Sequence, residues 1–438
     1  MLSGKRVLAC ASGAFAESVR VEAGIEVIGG FDCDAGWTWS EEARSTIEGR
    51  AGAAALTLTE TASGAKVRSF AIHAANAKDA TAEAHATEAG RSSIGVVVAD
   101  IEAELAQIDV IARDGVDGAN GETPTEAPQA GANGVAMSAS TACVVAVFGG
   151  DPGVSTCEDG ETRGGVGGLG GTPGTDEGNG YKGADGEPLL EPNSEEYGLG
   201  GVGQTDPDGD CKPGTIGKSG ARGAAGFPGS GTVLTLAGIA GGDGTNGKTG
   251  TRGQGGGGGG GTKAGQFCGP STNRVDGPGA SGGGGGAGGC GGKGGGGGLA
   301  GGSSIGIVSL GTKLVLTDVT VEVGTAGKGG SGVAGQSGAD GGAGAAGGAG
   351  SGVSPSIRGC KGGDGGTGGA GGPGGGGRGG HAAGIVYAAA PSAAIMLKDF
   401  KPGTAGDGGI TPGENAVSAG KSGVCWSFGE RESKSCGE

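Results

Sequence analysis

A chain of 438 residues with 118 glycines and only 3% aromatic residues is not an ordinary globular protein, and its core must be narrow and built from Val, Ile, Leu and Ala. The balance of 30 basic against 46 acidic residues gives a formal charge of −16, which disfavours nucleic acid and anionic membrane surfaces as partners because both require cationic groups. No run approaches the roughly 20 apolar residues that cross a bilayer, and 10 cysteines without zinc-type spacing point to disulfides and an oxidising compartment.

At the start, Lys5 and Arg6 before Val7-Leu8-Ala9-Cys10 superficially resemble a lipoprotein cleavage site, but the apolar stretch of a signal peptide is missing. Val7 to Cys10 reads as a strand, with an export signal expected upstream. Cys10 and Cys33 lie about one repeat apart and are expected to pair on neighbouring coils. Ala55-Leu56-Thr57-Leu58, followed by Val67, Phe70 and Ile72, sets a rhythm that returns three times. Ser92-Ser93-Ile94-Gly95-Val96-Val97 matches Ser303-Ser304-Ile305-Gly306-Ile307-Val308, and the same offset carries Leu105, Ile108 and Val110 onto Leu316, Val319 and Val321. A further copy starts at Ala383-Gly384-Ile385-Val386 and places Ile395, Leu397 and Phe400 where Leu314, Leu316 and Val319 stand.

Each copy, about 22 residues of short alternating strands ending in Gly or Asp-Gly, suits one coil of a parallel β-helix, which buries its apolar face only by stacking. Between copies glycine recurs at every third position. Residues 329–350 and 359–380 keep this phase on either side of a turn at 353–358, and 241–259 and 279–297 flank a tip at 262–278. Residues 214–229 form a return arm whose outgoing partner, 160–186, is ragged. Three residues per turn is the polyproline-II period, so glycine at every third place leaves one face bare, and the pure runs 255–261 and 282–286 read as interior, with 329–350 peripheral. At about 3.1 Å per residue a 22-residue arm extends roughly 68 Å.

The expected fold is therefore all-β: a parallel β-helix (β-solenoid) interrupted by long glycine-rich insertions that stack as polyproline-II/polyglycine-II helices. Residues 1–438 form a single composite domain, with coils at about 4–75, 92–113, 134–149, 231–240, 303–324 and 382–402. Arms are expected at about 114–133, 150–230, 241–302 and 325–381, and a C-terminal cap at 403–438. The insertion of 149–231 separates strands Val144 to Phe148 and Val233 to Leu236.

On Val27-Ile28-Gly29-Gly30-Phe31-Asp32-Cys33 with Trp37 nearby, on the Ser-Ser-Ile-Gly strand starts and on the Gly-Gly-x arms, the chain resembles the glycine-rich crested β-solenoid surface proteins of myxobacteria and related bacteria. The arms also resemble the polyglycine-II bundles of insect antifreeze proteins and phage tail-tip adhesins. The resemblance implies a fold and a role in adhesion or ice binding, and no residue list.

Candidate chemistry is sparse. His73, His85 and His381 share no metal-ligand spacing, and G-x-G-x-x-G matches follow from glycine density alone. Asp100, Glu102 and Glu104 alternate along a strand, either as a carboxylate set for polysaccharide cleavage or as an outward charged face. Asp206, Asp208 and Asp210 form an acidic turn that offers oxygen ligands to Ca²⁺ but lacks the distal Glu of a calcium loop. No catalytic residue or cofactor is expected. Cys211, Cys268 and Cys360 fall near arm tips with their pairing left open, and Cys425 with Cys436 is expected to close a C-terminal loop over which Trp426 and Phe428 cap the last coil. Phe267, Asn273 and Arg274 on one tip, and Pro355, Ile357 and Arg358 on another, are the candidate contact residues. These readings describe a non-enzymatic structural or adhesive protein, extracellular or on the cell surface. Its partner is an unknown surface ligand, a glycan or another surface protein. Ice binding through an arm face and polysaccharide binding or degradation are the alternatives.

Overall fold

The computed structural model describes residues 5–79, 90–145, 147–189, 196–389, 396–414, 416–429 and 434–435. Among these, helix is confined to the short 3₁₀ turns Ala77–Asp79, Ser138–Ser140 and Asp176–Gly178. The rest is strand and extended chain. The sequence copies lie side by side as parallel strands in two facing sheets. In one, Glu26–Asp32, Ala65–His73, Ala103–Ala112, Leu314–Val323 and Asp399–Lys401 follow one another; in the other, Val19–Val21, Leu56–Leu58, Ser93–Val98, Ser304–Ser309, Ala382–Tyr387 and Ser422–Ser427 do. From Ser93 onward the chain alternates between the sheets.

Register follows the repeat. Ile94 pairs with Ile305 and Val96 with Ile307 in one sheet, while Leu105 pairs with Leu316 and Ile108 with Val319 in the other. Leu105, Ile108, Val110, Val319 and Val321 meet Val96, Val98, Ile307 and Ile385 in one buried cluster, so each apolar side chain stacks on its own counterpart. The glycine near the start of each of these strands makes room across this interface: a Cβ on Gly95 would stand 2.3 Å from Val110 Cγ1, one on Gly306 2.3 Å from Val321 Cγ1, and one on Gly384 3.0 Å from the Phe400 ring. Phe400 accordingly pairs with Val321, not with Val319 as the sequence alignment expected. Its ring fills the space over Gly384 that valine fills over the earlier glycines. Ile395 lies outside the described residues.

A bend recurs at one level of the stack. Ser69, Gln107 and Asp318 all have φ in the left-handed region, at 63°, 56° and 55°, and their flanking residues pair in register. The Ser69 hydroxyl donates to Gln107 Oε1 at 3.1 Å, so a polar stack compensates part of the cost of the non-glycine left-handed backbone.

The glycine-rich segments run beside one another with a backbone repeat of three residues. In 255–261 the amides of Gly255, Gly258 and Gly261 donate to Glu187, Ala184 and Tyr181; those of Gly256 and Gly259 donate to Gly286 and Gly283; and those of Gly257 and Gly260 donate to Thr215 and Lys212. Successive N–H groups thus point to different neighbours. The α-carbons face others: a Cβ on Gly255, Gly258 or Gly261 would meet the carbonyl oxygens of Arg163, Val166 or Leu169 at 1.9–2.0 Å, and one on Gly257 or Gly260 those of Leu199 or Val202 at 1.9–2.2 Å. A segment surrounded on all sides has no direction left for a side chain, which is why 255–261 is glycine throughout and entirely buried.

At the margin, side chains replace the missing neighbour. The amides of Gly115, Gly118, Gly121 and Gly134 donate to the carbonyls of Thr325, Lys328, Ser331 and Ala343. The residue before each glycine returns the bond: Oδ1 of Asp114, Asp117, Asn120 and Asn133 accepts from the amides of those same four residues at 2.7–2.8 Å. Asx-Gly at triplet spacing therefore writes a two-point rung.

The expected boundaries change in four places. Strand Val144 to Phe148 does not form among the described residues. Residues 131–135 continue the glycine segment, Gly134 donating to Ala343, because they are phased with glycine and not with alternating apolar residues. Residues 231–240 are not a coil: Val233–Thr235 and Gly238–Ala240 make an antiparallel hairpin, too short to cross both sheets, whose Leu234 and Ile239 cover the outer side of Ile94, Ile305 and Val308. The single ragged arm of 160–186 is replaced by short passes at 149–153, 164–171, 179–187 and 198–204, separated by turns that break the phase. Finally, 403–438 is more than a cap, since Gly406 and Gly409 donate to Gly380 and Gly377 and Ser422–Ser427 joins the second sheet beside Ala382–Tyr387. Trp426 and Phe428 pack on the outer cluster of that sheet.

Where sheets and glycine segments join, His381 is buried, 1% exposed. The Lys421 amide donates to its Nδ1 at 2.8 Å, so the proton sits on Nε2 and is donated to Thr232 Oγ1 at 3.0 Å. Burial first, then the Arg378 and Lys421 charges, lower its pKa to about 3. Burial likewise lowers that of Arg378 to about 10. Because the folded value of His381 lies below the ordinary 6.5, the unfolded chain binds the proton more readily, and stability present above pH 6.5 is lost as pH falls toward 3. Between pH 6.5 and 4 the loss is expected to be about 3 kcal/mol, and His381→Asn, which keeps an acceptor at the Nδ1 position and does not titrate, is expected to flatten that limb. Urea unfolding at both pH values checks this; equal acid slopes in the two proteins would refute it.

Candidate functional site

The turns at the ends of the glycine segments come together. Residues 136–145, 172–178, 205–211, 263–278 and 351–358 are tied by covalent, polar and apolar contacts. Cys143 is bonded to Cys268 and Cys211 to Cys360, with Cα separations of 5.6 and 5.8 Å. Farther back, the hairpin of Val154–Cys157 and Gly160–Arg163 is pinned by Cys157 to Cys290.

Two polar side chains organise these turns. Gln204 occupies a triplet position where a glycine segment ends and is 3% exposed. Its Nε2 donates to the carbonyls of Gly209 at 2.7 Å and Asp206 at 3.0 Å, and its Oε1 accepts from the Lys263 amide at 2.9 Å. Lys263 Nζ in turn donates to the Glu177 carbonyl at 2.7 Å and to Asn179 Oδ1 at 2.6 Å. The Tyr181 hydroxyl donates to the Asp176 carboxylate, whose acceptance of that hydrogen bond raises the phenol above its ordinary pKa. None of these residues stood out in the sequence; the signal was a polar residue in a glycine phase for Gln204, and the first charge after a pure glycine run for Lys263.

The expected contact residues divide. Phe267 is 3% exposed and packs with Ala142, Cys268 and Ala280 beside Val353, so it holds two turns together and does not face a partner. Asn273 and Arg274 are exposed on the hairpin of Gly265–Cys268 and Val275–Gly277, next to exposed Val275. Pro355 and Arg358 are exposed and Ile357 is half-buried on the neighbouring turn. The surface is mixed in charge, with Asp176, Glu177, Asp206, Asp208 and Asp276 around Arg274 and Arg358.

The remaining candidates are dispersed. Asp206 Oδ1 accepts from the Asp208 amide at 3.0 Å, closing its own turn, and among the described residues no group that includes Asp206, Asp208 and Asp210 is placed to hold a metal ion. Glu104 lies 3.0 Å from Lys66 Nζ across neighbouring strands, whereas Asp100 and Glu102 precede the strand that starts at Ala103 and so do not alternate along it, Glu102 lying 3.7 Å from Lys313 Nζ. Cys10 is bonded to Cys33, across the register of Arg6–Cys10 and Glu26–Asp32. Cys425 is disulfide-bonded, and Cys436 lies outside the described residues. His73 Nδ1 is 2.8 Å from Glu48, and His85 lies outside the described residues.

Comparison with protein families, curated proteins and solved structures returned no match. No helix among the described residues is long and apolar enough to cross a membrane. The four disulfides described are compatible with an extracellular protein.

Proposed function

We propose that this chain is a non-enzymatic structural or adhesive protein of the cell surface or extracellular space. In this reading a β-solenoid spaces a stack of polyglycine-II arms, and the turns at the arm ends contact a surface partner, a glycan or another surface protein. The carrying observation is the disulfide-linked gathering of turns, because non-glycine side chains concentrate there while the segments behind them are committed to backbone bonding. The pairing of Glu102 and Glu104 with lysines favours this over polysaccharide cleavage. The charges of Lys328 and Asp340 on the outer row of 325–350 disfavour an ice-binding face.

The test is a glycan-array and cell-binding screen of the wild type beside a variant carrying Asn273→Ala, Arg274→Ala and Arg358→Ala. All three side chains are exposed and none belongs to a disulfide. The variant is expected to keep its melting temperature within a few degrees, since exposed substitutions change stability by about 0.5 kcal/mol or less, and to bind at least tenfold more weakly. Equal binding by the two proteins would move the contact away from these turns.

A further inference from the structure

Two of the 3 tryptophans, Trp37 and Trp39, stand within one short hairpin at the first turns of the sheets, apart from the gathered turns. Thr38–Trp39 pairs antiparallel with Glu26–Asp32, setting Trp39 directly opposite Phe31. Directly opposed residues share a face, and so do residues two apart along a strand. Phe31 and Trp39 are thereby placed on one face, and Trp37, in the turn before the strand, brings its ring to Phe31 with the centroids 6.2 Å apart.

Trp37 remains 49% and Trp39 46% exposed, which for indole rings on a stapled hairpin is solvent contact that folding did not remove. The hairpin is rigid. Cys33 is bonded to Cys10, Asp32 Oδ1 accepts from the amides of Asp34 and Ala35 at 3.1 and 2.9 Å, and Ser40 donates to the Gly30 carbonyl. Trp37 itself has φ 60°, a conformation rare for a bulky residue, directly after Gly36 at φ 77°. Nothing in the packing of the sheets requires a ring at that position, since the turn would be easier with Asn or Gly.

We propose that the Phe31–Trp37–Trp39 face is a binding platform for an uncharged polysaccharide. Exposed, preorganised aromatic rings offer apolar faces to the C–H side of a pyranose, and nearby carboxylates accept from its hydroxyls. Asp32, Asp34, Glu41 and Glu42 are all exposed in the same segment. The nearest cation, Arg44, is turned to the Glu41 and Ala43 carbonyls and to Asp109 at 3.4 Å. An acidic rim around aromatic rings repels anionic polysaccharides and anionic lipid, while its carboxylates accept hydrogen bonds from the hydroxyls of a neutral chain.

The test follows tryptophan fluorescence of the full chain titrated with cellohexaose and chitohexaose, with oligogalacturonate and phosphatidylglycerol vesicles as anionic counterparts. Trp37→Asn keeps the left-handed turn while removing the ring, and Trp39→Thr keeps a strand former. A blue shift with a neutral hexasaccharide, weakened at least tenfold in both variants and unchanged in Ala334→Ser, is the expected result. Retained Cys10–Cys33 linkage and unchanged circular dichroism guard against misfolding. No response to either neutral sugar overturns the proposal, as does equal binding of oligogalacturonate. Vesicle binding that Trp37→Asn abolishes would assign the face to lipid. A concentration-dependent dimer lost in both variants, without sugar binding, would assign it to a second copy.

Discussion

Gly285→Ala is expected to destabilise the protein by on the order of 3 kcal/mol, while Ala334→Ser, on an exposed triplet position, is expected to change stability by about 0.5 kcal/mol or less. The difference is one of direction, not of composition. A Cβ on Gly285 would stand 2.1 Å from the Gly256 carbonyl oxygen, an atom of a neighbouring backbone with no rotamer through which to yield. Gly285 also donates to Gly165 and accepts from Gly153, so moving the segment aside lengthens bonds on both of its other flanks. Ala334 is exposed. Urea unfolding gives the two values, and amide exchange of the adjoining glycines shows how far the disturbance spreads. A Gly285→Ala protein within 0.5 kcal/mol of the wild type would show that the segments are not packed as described.

Breaking the crosslinks is expected to be larger still. Cys143–Cys268, Cys157–Cys290 and Cys211–Cys360 span 125, 133 and 149 residues, and chain entropy assigns each loop about 5 kcal/mol taken alone. The loops overlap in sequence, so the three contributions do not add. Cys211→Ser/Cys360→Ser should lower the unfolding free energy by several kcal/mol and first raise amide exchange at 205–211 and 351–358, because extended glycine segments have no bonds within themselves to fall back on. An unfolding midpoint unchanged by this double substitution, with the other disulfides confirmed by mass, would show that packing alone orders the turns.

The parallel register was legible in the sequence because stacked strands demand like residues at like places. Ile94 over Ile305 and Leu105 over Leu316 occupy one slot repeated, and Gly95, Gly306 and Gly384 clear the same space. The bend was not legible, since Ser69, Gln107 and Asp318 share a backbone conformation and no side-chain chemistry. The short passes of 149–204 were hidden for a different reason: each holds too few triplets to establish a phase before a turn resets it. Cysteine pairing beyond Cys10 and Cys33 depends on which segments are neighbours, which no local spacing encodes. Phe267 was assigned to a contact surface by its place near a turn. Its burial against Ala142 and Ala280 depends on a turn more than a hundred residues earlier, beyond the reach of local reading.

The bonds between glycine segments run crosswise to the segments themselves. A pull applied at one turn along the segment axis therefore does not open them one after another, as it would at the end of a hairpin, but loads a whole row in shear. Through Cys143–Cys268 and Cys211–Cys360 that load is passed to neighbouring segments before any row has slipped. The resulting body is stiff along its length and yields late, at a threshold set by the rate of unfolding under force and not by equilibrium stability.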